Sequence, residues 1–199
     1  MMSAAADRLN TGHLLARFAG HIVTDRLLLR PVEADDTEAL YARFNDWEVV
    51  RWLATPAWPQ SPELMSRTID RYVSERQAGT LLVFVIEFDC AAIGSIGLTL
   101  HDGLLHLGYW LGRDHWGRGL MSEAAAGLVD MVFRLTGESA IISGAFDGNQ
   151  ASMRIQRKLG FVETGTSVHF STPRGQDLVH LDTKLTRTAR RVVLERTKQ

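Results

Sequence analysis

Residues 107–124 read LGYWLGRDHWGRGLMSEA. An apolar stretch with strand character runs into a glycine-punctuated turn, and the turn opens directly into a helix. That arrangement collects unpaired backbone N–H groups and the positive end of a helix dipole at one point. The chemistry it offers is anion binding, with a phosphate or pyrophosphate as the natural occupant. Gly117 and Gly119 lack a Cβ and so let backbone approach closely. Two common phosphate loops can be tested against these residues. The Walker loop ends in Gly-Lys-Ser/Thr, whereas Gly119 is followed by Leu120 and Met121. The dinucleotide fingerprint requires a third glycine where this chain has Ser122. Neither loop fits, and taken alone the pattern is also that of an ordinary strand-to-helix turn.

Further along, Asn149 stands where a helix begins, and Asn is a favoured helix cap. Ser152 follows one turn later. Cys90 is the sole cysteine, so an internal disulfide or a cysteine-based metal cluster is ruled out. Its apolar surroundings predict a buried core thiol. No metal is expected.

The elements that must position these residues fit within 199 residues, enough for one domain with short extensions and a full core. Hydrophobic content is 45% and charged content 23%, ordinary values for a globular chain. The formal net charge of −1 provides no global field to draw the chain to nucleic acid. No apolar run approaches the ~20 residues of a transmembrane helix. The N-terminus lacks the basic start and apolar core of a signal peptide. A cytoplasmic, reducing location is expected, without a membrane partner.

Residues 1–22 read as an alanine-rich extension with a short amphipathic piece around Leu14, Leu15 and Phe18. A strand over 26–30 ends at Pro31. Asp35 and Asp36 lead a helix on which Leu40, Phe44 and Trp47 recur at helical spacing. The prolines between 55 and 62 demand a loop. A second helix starts at Ser61, carries Leu64, Ile69 and Val73 on one face, and stops at Gly79. Three strands, over 81–88, 92–100 and 104–111, form an antiparallel meander. Beyond the glycine turn, Met121, Ala125, Leu128, Val129 and Val132 line a helix. A strand over 140–146, a helix ending at Gly160 and strands over 161–170 and 176–185 complete the domain. Residues 23–186 thus form one domain, and 187–199 read as a basic tail. The strand–helix–strand unit amid antiparallel pairs predicts a mixed α/β sheet.

This order and several local motifs resemble the GNAT superfamily of acyl-CoA-dependent N-acetyltransferases. Thr24-Asp25-Arg26-Leu27-Leu28-Leu29-Arg30 is similar to the opening strand of the branch that includes the bacterial ribosomal-protein N-terminal acetyltransferases. Ile93-Gly94 and Gly97 match its third strand. Leu107-Gly108-Tyr109-Trp110-Leu111 with Trp116-Gly117-Arg118-Gly119 is similar to its coenzyme-binding segment. Asn149, Ser152 and Lys158-Leu159-Gly160-Phe161 match its Asn-x-x-Ser … Lys-x-Gly-Phe stretch. The resemblance covers residues 23–185. The superfamily pattern Gln/Arg-x-x-Gly-x-Gly/Ala falls on residues 116–121. Trp116 replaces its polar first residue, as is usual in this branch, and Met121 its small last one, which is less usual. Because such a loop binds through backbone N–H groups, the Met121 side chain is free to point into the helix packing.

The resemblance implies a mostly antiparallel sheet of about seven strands, splayed between the fourth (104–111) and fifth (140–146). It implies acetyl-CoA as co-substrate, its pyrophosphate on Gly117, Arg118, Gly119, Leu120, Met121 and Ser122, with Trp116 at the loop's start. Arg113 and Arg118 flank the loop as possible phosphate partners. The backbone of Tyr109, Trp110 and Leu111 would pair with the pantetheine arm, and an N–H near Leu111 would polarise the thioester carbonyl. Asn149 would reach the pantetheine amides, and Ser152 could protonate the departing thiolate. The acceptor would be a primary amine, on a small molecule or a peptide N-terminus. As proton acceptor, His106 has a suitable ordinary pKa of ~6.5, with Glu48, Glu163, His169 or a water chain as alternatives. The loop around Trp58 and the hairpin turn at 171–175 should wall the acceptor site, while Trp47 and Trp52 are expected in the core. A non-catalytic acyl-CoA-binding sensor is the competing reading. The oligomeric state is open, a homodimer among the options.

Overall fold

A computed structural model gives the structure of the chain and describes residues 20–197. The amphipathic piece around Leu14, Leu15 and Phe18 lies outside the described residues. Eight strands form one open sheet: β1 (Ile22–Val23), β2 (Leu28–Pro31), β3 (Leu81–Phe88), β4 (Ala91–His101), β5 (Leu104–Leu111), β6 (Ala140–Phe146), β7 (Val162–Ser171) and β8 (Gln176–Thr186). Their spatial order is β1-β2-β3-β4-β5-β6-β8-β7. Every neighbouring pair is antiparallel except β5 and β6. The mixed α/β sheet expected from the element order is present, with the two-residue β1 added at its edge.

Among the described residues, six α-helices cover the sheet: α1 (Thr37–Phe44), α2 (Trp47–Val50), α3 (Pro62–Gln77), α4 (Leu120–Leu135), α5 (Gln150–Leu159) and α6 (Arg187–Thr197). Successive side chains of a strand point to opposite faces, so β3 feeds two cores. Leu82, Phe84 and Ile86 join α4 and α5 in one; Leu81, Val83 and Val85 join α1, α2 and α3 in the other. Local chemistry sets the helix ends. The Ser61 hydroxyl accepts from the Leu64 N–H ahead of Pro62, and Gly160, at φ 100°, closes α5 in the left-handed conformation that suits glycine.

The feature that positions the site is a failure of pairing. Strands β5 and β6 are in register only at Leu105–Ile141 and His106–Ile142. Beyond that vertex they diverge and leave a V-shaped gap through the sheet.

Four readings of the sequence are corrected. Cys90 is exposed, because Asp89 and Cys90, at φ 50° and 61°, form the turn between β3 and β4 rather than its apolar wall. Trp47 is 37% exposed, since α1 stops at Phe44 and a separate short helix carries Trp47 against Trp58. Leu64 is exposed, and Met65 fills the inner position of α3 instead. Residues 187–197, read as a tail, are helix α6. It docks through Arg190, which lies buried against Asp130 of α4 with two hydrogen bonds of 2.7 and 2.8 Å.

Candidate active site

Beyond β5, a 3-10 turn over Arg113–His115 leads into the glycine turn. Gly117 and Gly119 sit at φ 73° and 76°, which side chains disfavour, and little crowds either position. Gly119 is the N-cap of α4, and no side chain caps that helix. The first N–H groups of a 16-residue helix therefore face outward at the end of the gap. Met121 is buried, its side chain packed into the core on the α4 side. Leu120 is buried likewise, and Ser122 is half-buried in the first turn.

A clamp behind the loop holds it in place. Glu123 accepts from the Thr24 hydroxyl (2.6 Å), the Arg26 amide (2.8 Å) and the Arg26 Nε (2.7 Å). Arg26 also donates to the Arg118 carbonyl at 3.1 Å. Burial works against charge on Glu123, yet these donors outweigh it and hold the carboxyl below its usual range. The Arg118 guanidinium stacks on Phe88, 4.6 Å from the ring centroid. Arg113 is turned to the other side, 4.0 Å from Asp46.

The gap and loop open on one cleft of about 1020 Å³. Ser143 donates to the Leu107 carbonyl at 2.9 Å, so that carbonyl points toward β6. Backbone groups alternate sides along a strand, so those of Tyr109 and Leu111 point toward the gap too. The Trp116 indole N–H takes the Leu111 carbonyl at 2.7 Å. This leaves the Tyr109 amide and carbonyl and the Leu111 amide as the polar edge of the cleft. The Trp110 ring points to the opposite face and packs edge-on against Phe44.

On the α5 side, the Asn149 side chain caps the helix by accepting from the Ser152 N–H at 3.1 Å. The Ser152 Oγ is 2.9 Å from the Tyr109 hydroxyl and accepts from Gln156 Nε2 at 3.1 Å. Gln156 is fully buried and also donates to the Gly144 carbonyl, while its Oε1 accepts from Thr183 at 2.5 Å. Burial raises the Tyr109 pKa, and its hydrogen bonds to Ser152 and Gln156 only partly offset this, so the phenol keeps its proton. Arg154 and Lys158 of the same helix line the cleft and add positive charge.

On the opposite face, Trp52, Leu53 and Ala54 line the cleft beside His106, His169, His180 and Asp182. The β7–β8 turn is stitched to the 51–54 segment. The Thr172 N–H donates to Ala54 (2.8 Å), the Ser171 hydroxyl to Leu53 (3.3 Å) and Arg174 Nε to Arg51 (2.9 Å). Arg174 lies over the Trp52 ring, so Trp52 is a cleft wall rather than core. His106 sits at the vertex of the V, edge-on to His101, and burial pushes its pKa down, with His101 adding to the effect. His180 Nδ1 lies 2.8 Å from Asp182 Oδ1, and the Ser167 hydroxyl reaches the same oxygen at 2.8 Å. The donor atoms of His169, His180 and Asp182 fall within 4.8 Å of one another. Hydrogen bonds already link them.

The structure therefore brings Tyr109, Trp110, Leu111, Trp116, Gly117, Gly119, Leu120, Met121, Ser122, Asn149, Ser152 and His106 to one cleft. Arg113 and Arg118 do not line it, being directed to Asp46 and Phe88, and Glu48 and Glu163 pair with Arg51 and Arg157 outside it. Sequence reasoning missed Gln156, Thr183, Arg154, His180, Asp182 and the bracing role of Arg26. Only the i, i+2 spacing of His180 and Asp182 on a strand hinted at a shared face.

Residues 26–162 match the family described as acetyltransferase (GNAT) domain. The chain is 31% identical over 160 residues to p20, an uncharacterized N-acetyltransferase of Bacillus licheniformis, covering 78% of this chain and 89% of that protein. YoaA of Bacillus subtilis, also an uncharacterized N-acetyltransferase, is 31% identical over 71% of this chain and 82% of its own. Among solved structures, the RimL ribosomal L7/L12 α-N-protein acetyltransferase in complex with coenzyme A superposes with a TM-score of 0.77. That match is 19% identical and covers 85% of this chain and 99% of the other. The microcin C7 self-immunity acetyltransferase MccE, in complex with acetyl-CoA and AMP, has a TM-score of 0.76, 17% identity, and coverage of 87% and 99%.

Proposed function

The chain belongs to the GNAT acetyltransferase family, and from that premise we propose that it moves an acetyl group from acetyl-CoA to a primary amine, directly, with both bound together. The observation that carries this reading is that the uncapped start of α4 and the unpaired edge of β5 open on one cleft. The residues fit the coenzyme. The N–H groups of residues 117–122 would hold its pyrophosphate through charge-assisted hydrogen bonds. Arg154 and Lys158, which line the cleft, supply positive charge. The Tyr109 and Leu111 backbone would pair with the pantetheine arm as an added strand, and the Asn149 side-chain amide would reach the same arm. Acetyl-CoA supplies the activated thioester carbonyl.

The Leu111 N–H, aimed into the gap, would stabilise negative charge developing on that carbonyl oxygen. Ser152 would protonate the leaving thiolate. If Gln156 Nε2 and the Tyr109 hydroxyl both donate to its Oγ, its own proton is left for the cleft. Cys90, exposed on a β3–β4 turn, is no nucleophile for this cleft, and none is required.

The stitched hairpin roofs the acceptor end through hydrogen bonds to main-chain carbonyls of residues 51–54. That roof suits a single amine entering end-on, either a small molecule or the first residues of a peptide. Incubation with acetyl-CoA and a panel of amines and N-terminal peptides, with free thiol as the readout, tests the reading. Thiol release that depends on an amine supports transfer. Coenzyme binding without release for any acceptor would instead favour an acyl-CoA sensor.

A further inference from the structure

An ammonium group must lose a proton before its nitrogen can attack, so acetyl transfer needs a proton acceptor. Resting on the transferase reading above, we propose that His180, held by Asp182, is that acceptor. Its Nδ1–H donates to the Asp182 carboxylate, and this fixes the tautomer in which Nε2 carries the lone pair. Ser167 donates to the same carboxylate and accepts from His169 Nε2 at 2.9 Å. Burial opposes charge on Asp182, but the His180 and Ser167 hydrogen bonds outweigh it, so the group stays a carboxylate. A fixed carboxylate stabilises the imidazolium formed when His180 takes a proton.

Position supports the role. His180 lines the cleft, and its ring lies across Gly144 of β6. A Cβ at Gly144 would overlap His180 Cε1 and the Leu181 carbonyl. Glycine inside a strand weakens it and marks a close approach. Here it lets the Cε1–Nδ1 edge of the imidazole lie against β6. Through the same residue, the Gly144 carbonyl accepts from Gln156, which also donates to Ser152. His180 and Ser152 thus flank the gap from opposite faces of the sheet, one on the amine side and one on the thiol side.

The groups facing His180 are few among the described residues. From its own strand there is Asp182; from β7, His169 with ring centroids 4.7 Å away, and Ser167; from β6, Gly144 and the Phe146 ring at 5.7 Å. His106 lines the same side of the cleft but stands at the vertex, where β5 and β6 still pair; its ring neighbour is His101, and the Asp102 charge acts on it without outweighing its burial. In the reaction, the ammonium nitrogen gives one proton to His180 Nε2, its freed lone pair forms the N–C bond, and the nitrogen then loses its second proton to solvent. The C–S bond breaks with its electrons on sulfur, which takes the Ser152 proton. Solvent then removes the proton from His180 and restores that of Ser152, leaving amide and free coenzyme thiol.

The test compares wild type with His180→Gln, Asp182→Asn and His106→Gln, using the acceptor that the amine panel yields. Acetyl-CoA affinity by calorimetry and the melting temperature confirm that each variant is folded. His180→Gln should lose about 100-fold or more in kcat/KM. Any fall in kcat/KM on the acidic side of the wild-type pH profile should be absent in this variant, with coenzyme affinity unchanged. Asp182→Asn should fall between the two, and added imidazole should partly rescue His180→Gly. An acidic limb retained in His180→Gln, or lost only in His106→Gln, overturns the assignment while leaving the transferase reading intact. A wild type that binds acetyl-CoA but acetylates no amine overturns that reading, and this role with it.

Discussion

Ser152 shows how a residue can be both ordinary and reactive. It lies in the first turn of a capped helix, where serine is unremarkable, yet two donors converge on its oxygen at 2.9 and 3.1 Å. Ser152→Ala should lower kcat by about 100-fold with acetyl-CoA affinity nearly unchanged, as stopped-flow thiol detection and calorimetry would show. Tyr109→Phe should cost less, because Gln156 still orients the hydroxyl. Gly119→Val should abolish coenzyme binding in a folded protein, since a β-branched residue at φ 76° is strained and would tilt the loop N–H groups. The glycines and Asn149 were legible because their chemistry is local: a turn, a cap, a helix start. Gln156, Thr183, His180 and Asp182 were not, because they matter only once β8 is inserted between β6 and β7, and nothing in the local pattern states that order.

At the scale of elements, α4 is secured at both ends. At its start, Glu123 ties the helix to the β1–β2 turn through Thr24 and Arg26. Its folded pKa is depressed, so its contribution to stability is present above the ordinary carboxylate value of about 4.3 and is lost as pH falls through the lower folded value. Melting temperatures across that acidic window should drop for wild type and change less for Glu123→Gln. At pH 7 the variant should melt about 2–4 °C lower, the shift expected for about 1 kcal/mol in a chain of this size. At the far end, Arg187 of α6 donates to the carbonyls of Phe133, Thr136 and Glu138, placing a cation at the negative end of the helix dipole. Truncation after Thr186 should therefore destabilise α4 although it removes no cleft residue. Asp130→Ala, which strands the buried Arg190, should cost about 3 kcal/mol in chemical denaturation. The helix was hard to read because its charged residues outweigh the modest apolar stripe of Ala189 and Val193 that meets the body.

For the molecule as a whole, most of the fold was visible from the order of elements. The meander, the strand–helix–strand unit and the closing hairpin leave few ways to build one sheet. What escaped were pieces whose placement is decided by distant partners: the two-residue β1, the exposed Trp47 and the stitch between the last hairpin and residues 51–54. That stitch and the splayed strands together have a kinetic consequence. The cleft is a passage through the sheet with two doorways, one by the start of α4 and the other under the hairpin. Neither reactant has to pass the other on its way in, and neither product has to wait for the other to leave. Binding and release should then follow no compulsory order. Product-inhibition kinetics should show free coenzyme competing with acetyl-CoA and acetylated amine competing with amine.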